Sequence, residues 1–138
     1  MESNRKRGIG FEYELCELLA KHGWWSHDMA QNQTGQPADI IAVKNNTAIL
    51  IDCKVCYRVN FPLSRVEPNQ EAAMKHWAKC NNAFAFFALK MPDGSIYMIP
   101  DRMVWYFMEQ GYASISQDNI YEFSYDIETW LNLYEGES

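Results

Sequence analysis

The sequence has no apolar run approaching the roughly 20 residues that a membrane span requires. Its first ten residues, MESNRKRGIG, lack the apolar segment of a secretory signal, and no segment is repeated or of low complexity. These absences predict a cytoplasmic protein that does not act at a membrane. A chain of 138 residues with 48% hydrophobic content can form one core, so we expect a single domain over residues 1–138, with residues 1–6 and 135–138 flexible.

Positive charge is also scarce, since 12 Lys and Arg residues face 18 Asp and Glu residues and the net charge is −6. Proteins that bind nucleic acid normally cluster cations against the phosphates, so the overall charge argues against that class of partner. The basic residues that do occur near one another are Arg5, Lys6 and Arg7 at the start and Arg58 and Arg65 further along. Carboxylates that bind a metal ion would account for part of the negative charge.

The four cysteines, Cys16, Cys53, Cys56 and Cys80, have neither the spacing of a disulfide scaffold nor that of a zinc site. Cys53 and Cys56 form a CxxC pair, but no second pair accompanies it. We interpret the cysteines as small apolar residues of strands and helices.

The pattern of apolar residues predicts an α/β protein in layers, with a mixed central sheet of about four to five strands flanked by helices. Helices are predicted over residues 8–22, 69–80 and 101–110, and strands over residues 24–29, 38–43, 48–53, 83–89 and 95–99. Residues 55–68 are too irregular for an element. The tail is ambiguous, with a strand over 119–125 and a short helix over 126–134 as the interpretation we test.

Residues 35–54, GQPADIIAVKNNTAILIDCK, combine two apolar strands with carboxylates at one end. In an antiparallel hairpin Asp39, which opens the first strand, lies beside Asp52, which closes the second. Asp52 and Lys54 then share a face, and Cys53 points the other way. The alternative is a solvated Asp–Lys pair, but the apolar flanks favour charges that need a buried partner.

Mg²⁺ is such a partner, because it prefers hard oxygen ligands and takes one or two carboxylates. The backbone carbonyl of Cys53 is a further possible ligand, whereas its thiol is too soft. This arrangement suits phosphodiester hydrolysis, in which Lys54 would orient the attacking water and stabilise the transition state. The roles of two other polar residues stay open at this point. Glu12 could be solvated at the edge of its helix, and Gln70 could cap backbone groups.

The hairpin also resembles a known family. Pro37-Ala38-Asp39 followed by Asp52-Cys53-Lys54 resembles the signature of PD-(D/E)xK nucleases. Residues 7–12, RGIGFE, resemble the opening of the first helix in Holliday junction resolvases, and Thr34-Gly35 resembles part of their catalytic loop. Residues 61–70, 74–77 and 84–100 are similar to RecU-type resolvases, and archaeal-type resolvases share the general pattern. The resemblance covers about residues 5–108.

The resemblance implies a restriction-endonuclease-like three-layer fold and a Mg²⁺-dependent endonuclease that acts as a homodimer on four-way DNA junctions and leaves 5′-phosphates. Mn²⁺ is expected to substitute for Mg²⁺. The implied catalytic residues are Glu12, Asp39, Asp52, Lys54 and Gln70. The implied metal ligands are Asp39, Asp52, the Cys53 carbonyl and Glu12, directly or through water. The expected DNA contacts are Arg5, Lys6, Arg7, Thr34, Arg58 and Arg65.

The sequence departs from these families in three respects. Asp52 stands where these resolvases more often have Glu, the acidic balance is unusual, and a hairpin tip of only residues 44–47 leaves no room for the stalk of RecU proteins. A bacterial or phage origin would accommodate these differences. Two alternatives stay open. One is a restriction- or repair-type endonuclease on the same fold, and the other is a non-catalytic relative that binds DNA or protein, although Asp39, Asp52 and Lys54 are all retained.

Overall fold

The centre of the fold is a mixed sheet, seen in a computed structural model that describes residues 4–29 and 38–135. The strands are β1 (Trp25–Asp28), β2 (Ile40–Lys44), β3 (Thr47–Val55), β4 (Phe61–Pro62), β5 (Phe84–Lys90), β6 (Ile96–Pro100), β7 (Ser114–Ile115) and β8 (Tyr125–Asp126). The helices are α1 (Asn4–Lys21), α2 (Pro68–Lys79), α3 (Asp101–Glu109), α4 (Gln117–Phe123) and α5 (Ile127–Leu133), with a 3₁₀ turn at Leu63–Arg65.

The main sheet has the strand order β1-β2-β3-β5-β6-β8. Every neighbouring pair is antiparallel except β3 and β5, which are parallel and are joined by a connection that contains α2. A parallel pair requires such a crossover. The sheet therefore has six strands, one more than the upper number predicted, because the two-residue strand β8 adds to its edge.

The hairpin of β2 and β3 sets the register on which the site depends. Ile40 pairs with Ile51, and the strands are joined through Asn45 and Asn46, which have φ values of 49° and 64°. Two consecutive residues with positive φ are typical of a two-residue hairpin turn whose twist matches the strands. Extending the register by one residue places Asp39 opposite Asp52, as predicted.

Helices cover both faces of the sheet, which confirms the three-layer prediction. On one face, α1 and α5 pack through Phe11, Leu15, Leu19 and Trp130, all nearly or fully buried. On the other face, the helices α2, α3 and α4 contribute a second buried cluster. Since each face has its own core, a residue at the end of a central strand can be reached from both helical layers.

Helix α1 begins at Asn4, four residues before the predicted start, and it ends at Lys21, one residue before the predicted end. Gly23 has a φ of +83°, and the backbone N–H of Trp24 donates to the carbonyl of Leu19 at 3.0 Å. This is the hydrogen bond that closes a helix with a left-handed residue, the role for which glycine is favoured. The flexibility predicted for the two ends of the chain stays a prediction.

The tail corrects one prediction. Residues 119–125 were expected to form a strand, but they lie mostly in α4, since Ser116 caps that helix by accepting from the Asn119 N–H at 3.3 Å. Ile120 is fully buried in the core, and this cap and contact outweigh the strand preference of the aromatic residues. The helix predicted over 126–134 is confirmed as α5, whose Trp130 stacks on Trp24 with 5.5 Å between ring centroids.

The segment predicted to be irregular contains short elements. β4 pairs with β7 in a separate two-stranded ribbon, and Phe61 in β4 is fully buried. The ribbon forms between segments far apart in the chain, so local sequence patterns do not reveal it. Across the described ranges, no helix is both long enough and apolar enough to cross a membrane.

Candidate active site at the open end of the hairpin

Four polar side chains are buried in the part of the chain that the structure describes. They are Glu12, Asp39, Asp52 and Gln70, with 8%, 8%, 0% and 6% of their surface exposed. All four were predicted from the sequence as site residues. Burying a polar group costs free energy unless a hydrogen bond or an opposite charge offsets the cost, so each of these four side chains should have a partner.

The two acids of the hairpin face each other at its open end. Asp39 precedes β2, its backbone N–H donates to the Ile51 carbonyl at 3.0 Å, and its Oδ2 accepts from the Cys53 N–H at 2.7 Å. Cys53 itself packs against the core under α1, which confirms that its side chain points away from Asp52. The hairpin thus holds the Asp39 carboxylate by a backbone hydrogen bond across the strands.

Gln70 links the other two predicted residues, Lys54 and Asp52. Its Nε2 donates to Asp52 Oδ1 at 2.8 Å, and its Oε1 accepts from Lys54 Nζ at 3.2 Å. The same Oε1 accepts from the backbone N–H of Glu67 at 3.1 Å, in the capping box that begins α2. The capping interpretation of Gln70 is therefore confirmed, and its side chain also bonds to Asp52 and Lys54, while its role in a reaction stays a prediction.

The second oxygen of Asp52 completes this arrangement. Asp52 Oδ2 is fully buried, makes no hydrogen bond and lies 3.2 Å from Lys54 Nζ in an ion pair. The Asp52 carboxyl also makes a side-chain hydrogen bond with the Asp39 carboxyl, which requires that one of the two acids is protonated. A buried oxygen of this kind is a natural ligand position for a cation.

Glu12 reaches the site from the opposite helical layer, together with a residue that the sequence analysis missed. Asp28 ends β1, where it pairs with Ile40, and its carboxyl makes a hydrogen bond with Glu12. The sequence contained a usable signal, since Asp28 closes an edge strand beside the hairpin and Asp52 lies near the end of β3. The open end of the sheet therefore gathers four carboxyl groups.

Burial and mutual repulsion change the titration of these acids. Burial, followed by the charge of Asp39, raises the pKa of Glu12 to about 8. Burial also raises the pKa of Asp52 to about 8, against the opposing effect of the Lys54 ammonium. A group of carboxyls that repel one another and lack solvent is stabilised by a divalent cation, so this electrostatic pattern fits a metal site.

A metal at this position would have few protein ligands. Among residues 4–29 and 38–135, no group of three or more His, Cys, Asp and Glu side chains is placed so that it could hold a metal ion. Mg²⁺ commonly uses one or two carboxylates and completes its shell with water and substrate oxygens. Asp39 and Asp52 would hold it with the Cys53 carbonyl, and Glu12 would contribute through water.

The predicted DNA contacts are only partly described. Thr34 and the side chain of Arg5 lie outside the described residues. Lys6 and Arg58 are exposed, and Arg7 is half-buried. Arg65 donates from Nη1 to the Val55 carbonyl at 2.7 Å, just beyond Lys54. Arg7 and Arg65 thus lie at the same end of the sheet as the acids.

Replacing Gln70 with methionine should lower the free energy of unfolding by about 2 kcal/mol, because it leaves the buried Asp52 Oδ1 without a donor. Urea denaturation at pH 7 measures this. A matched control is Glu71→Met, which breaks only a surface pair with Lys75 and should cost less than about 1 kcal/mol. Equal losses for the two variants would show that the Gln70 contacts do not stabilise the site.

The fold and the site together define a class of protein. A hairpin with Asp39 opposite Asp52 and Lys54 two residues on, in a mixed sheet between helical layers, is the arrangement of PD-(D/E)xK nucleases. The profile of the family described as "Archaeal holliday junction resolvase (hjc)" matches residues 3–136. The chain therefore belongs to the family of archaeal Holliday junction resolvases.

Two further comparisons bear on this assignment. The solved structure of Hjc, a Holliday junction resolvase from Archaeoglobus fulgidus, matches with a TM-score of 0.71 and 22% identity over 90% of this chain and 99% of that one. At this identity the match shows the fold. No curated protein matches. Of the two kinds of resolvase that the sequence resembles, the match is to the archaeal kind, so the expectation of a bacterial or phage origin gains no support.

Proposed function

We propose that this protein is a Mg²⁺-dependent endonuclease that cuts four-way DNA junctions. The observation that carries the proposal is the convergence of Asp39, Asp52, Lys54 and Gln70 at one end of the hairpin, with Glu12 approaching from α1. Membership of the archaeal Holliday junction resolvase family supports the same reaction and the same class of substrate.

Each residue has a role that follows from its contacts. A bound Mg²⁺ would supply Lewis acidity to the water and neutralise charge on the phosphate. Asp39 and Asp52 hold negative charge where the cation binds. Lys54 has both Asp52 and Gln70 as neighbours, so its ammonium is fixed in position to donate to the attacking water or to the phosphate as charge develops.

Gln70 and Glu12 act around this centre. Gln70 keeps the Asp52 carboxylate and the Lys54 ammonium in a fixed relative orientation, and this orientation is anchored to the start of α2. Glu12 would complete the metal shell, directly or through a water molecule, from the α1 side. Mn²⁺ is expected to replace Mg²⁺, since both accept carboxylate and water oxygens.

A four-way junction has two strands to be cut, so the proposed functional form is a homodimer with two active sites. The exposed arginine and lysine side chains at the open end would contact the phosphate backbone, although the overall charge is −6. The position of these cations near the site matters more for binding than the net charge of the chain.

The test is cleavage of a synthetic four-way junction and of a linear duplex that contains the same arm sequences, each with Mg²⁺ under single-turnover conditions. We expect paired nicks in two opposite strands of the junction, with 5′-phosphates, and at least about a hundredfold slower cleavage of the duplex. Chelation of the metal should stop both reactions.

The alternatives give different results in the same assay. Equal cleavage rates on the junction and the duplex would support the nuclease activity but refute the specificity for junctions, and would identify a restriction- or repair-type enzyme. Tight binding of the junction with no cleavage of any DNA in Mg²⁺ or Mn²⁺ would identify a non-catalytic relative and refute the proposal.

A further inference from the structure

A cleft of about 610 Å³ opens on the α1 side of the sheet, beside the candidate active site. Its floor is apolar, with Phe11 and Met91, and its rim carries Arg7, Lys90 and Tyr57. The volume lies within the roughly 300–1,000 Å³ of ligand-binding clefts. An apolar floor with a cationic rim matches the chemistry of a sugar joined to a phosphate.

The strand register places the cleft at the same end of the sheet as the catalytic residues. On β3, Val55 lines the cleft and follows Lys54, and it pairs with Lys90 on β5. On α1, Phe11 lines the cleft and precedes Glu12. Side chains alternate along β3, so Val55 faces the α1 side together with Cys53, whereas Lys54 faces the other side together with Asp52. The cleft therefore lies on the side of the sheet from which Glu12 approaches, and a DNA strand that passes from the site around the end of β3 would reach it.

Tyr57 organises the positive charge at this rim. The guanidinium carbons of Arg7 and Arg65 lie 5.6 Å and 5.5 Å from its ring centroid, within the range of cation–π contacts. Arg65 is also fixed by its hydrogen bond to the Val55 carbonyl. Within the described part of the chain, neither guanidinium pairs with a carboxylate, so both retain their charge for an anionic ligand.

Lys90 is the other cation of the cleft, and it is already paired. Its Nζ lies 2.5 Å from Glu14 Oε1, in a bridge whose side chains are 30% and 45% exposed. Exposed bridges of this kind contribute little to stability, so a phosphate could exchange with Glu14 at small cost.

We infer that the cleft binds one deoxynucleotide of the DNA strand that continues past the scissile phosphate. The phosphate of that nucleotide contacts Arg7 and Lys90, its sugar lies on Phe11 and Met91, and Tyr57 is a positioning residue that holds Arg7 and Arg65. This inference rests on the proposed function and identifies where the substrate strand runs.

Binding of a labelled four-way junction, measured by fluorescence anisotropy in EDTA over a series of KCl concentrations, tests the inference without requiring cleavage. Arg7→Gln should reduce the slope of log Kd against log salt by about one, as expected for the loss of one phosphate contact. Tyr57→Leu should weaken binding roughly two- to fivefold, whereas Tyr57→Phe should bind as the wild type does, because the ring is retained.

Two controls make the result specific. Arg102→Gln removes an exposed cation at the start of α3, at the opposite end of the sheet, and should leave the slope unchanged. Single methylphosphonates placed along the cleaved strand remove one phosphate charge at a time. The methylphosphonate that weakens wild-type binding within two nucleotides of the cut should cause a smaller loss with Arg7→Gln, because only the Lys90 contact to that phosphate remains to be lost. Thermal melting verifies that each variant is folded.

The outcomes separate this inference from the proposed function. If the wild type cuts the junction normally while Arg7→Gln and Tyr57→Leu bind it with wild-type slope and affinity, the cleft does not bind the DNA strand. The proposed nuclease activity would stand. A loss with Tyr57→Phe as large as with Tyr57→Leu would refute the positioning role of the ring. Failure of the wild type to bind any junction would overturn both proposals.

Discussion

Replacement of Asp52 by asparagine should lower the rate of junction cleavage by at least about a thousandfold. The asparagine oxygen can still accept from Gln70 Nε2, so the local structure is retained, but the negative charge that a metal ion needs is lost. Single-turnover rates with saturating Mg²⁺ measure the effect. Glu122→Gln, which changes an exposed side chain in the same depression as Arg102 at the opposite end of the sheet, should cleave at the wild-type rate.

The same variant should be more stable than the wild type when no metal is present. The pKa of Asp52 is 3.8 in the unfolded chain and about 8 in the folded protein. As the pH rises from about 4 to 8, the unfolded state releases this proton first, so the wild type loses stability across that window. Asparagine removes the loss, and we expect a gain of about 1–3 kcal/mol at pH 8 and a smaller difference at pH 5. Urea denaturation in EDTA at the two pH values measures both numbers.

An Asp52→Asn protein that cleaves within tenfold of the wild type would show that Asp52 does not take part in the chemistry. The opposite pH dependence would have a different meaning. If the stability of the variant relative to the wild type falls as the pH rises from 5 to 8, the buried carboxyl is charged in the folded state. Its ion pair with Lys54 would then outweigh its burial.

Metal affinity should fall steeply as the pH is lowered below 8. Glu12 and Asp52 both have a pKa of about 8 in the folded protein, so each must lose a proton before it can serve as a ligand. We expect the affinity for Mn²⁺ to decrease about tenfold per pH unit for each proton released, and to level off above pH 8. Calorimetric titration at pH 6.5, 7.5 and 8.5 measures this dependence.

The single variant Asp28→Asn provides a control for the cause of this dependence. Asp28 raises the pKa of Glu12 through its hydrogen bond and its charge, but it is not among the causes that raise the pKa of Asp52. Its removal should therefore shift the affinity profile towards lower pH without abolishing binding. An affinity for Mn²⁺ that is constant from pH 6.5 to 8.5 would contradict the assignment of these acids as metal ligands.

The hairpin and the acids on it could be predicted from the sequence because they depend on local rules. Alternation along a strand and the antiparallel register are sufficient to place Asp39 opposite Asp52 and to direct Cys53 to the other face. The tip of two asparagines with positive φ is equally local. These rules need no knowledge of the rest of the molecule.

The parts that the sequence did not reveal depend on contacts between distant segments. Asp28 joins Glu12 only because β1 pairs with β2, and the ribbon of β4 and β7 unites segments more than 50 residues apart. The wrong strand at 119–125 has the same origin. Aromatic residues there favour a strand locally, but the Ser116 cap and the burial of Ile120 favour a helix in the folded protein.

The negative net charge of the chain is compatible with DNA binding because several of its few cationic residues lie together. Arg7, Lys54, Arg65 and Lys90 all lie at or beside the open end of the sheet, where the strands β3 and β5 end. A chain with a net charge of −6 can therefore still carry a positive rim at this end, and the proposed cation would offset the charge of the buried acids.

The central claim is that Asp39 and Asp52 hold a divalent cation at the open end of the hairpin. Anomalous diffraction from crystals soaked in Mn²⁺ at pH 8.5 tests it most directly. We predict a peak within coordinating distance, about 2.0–2.3 Å, of a carboxylate oxygen of both residues. A peak elsewhere with none in contact with Asp39 and Asp52 would contradict the claim.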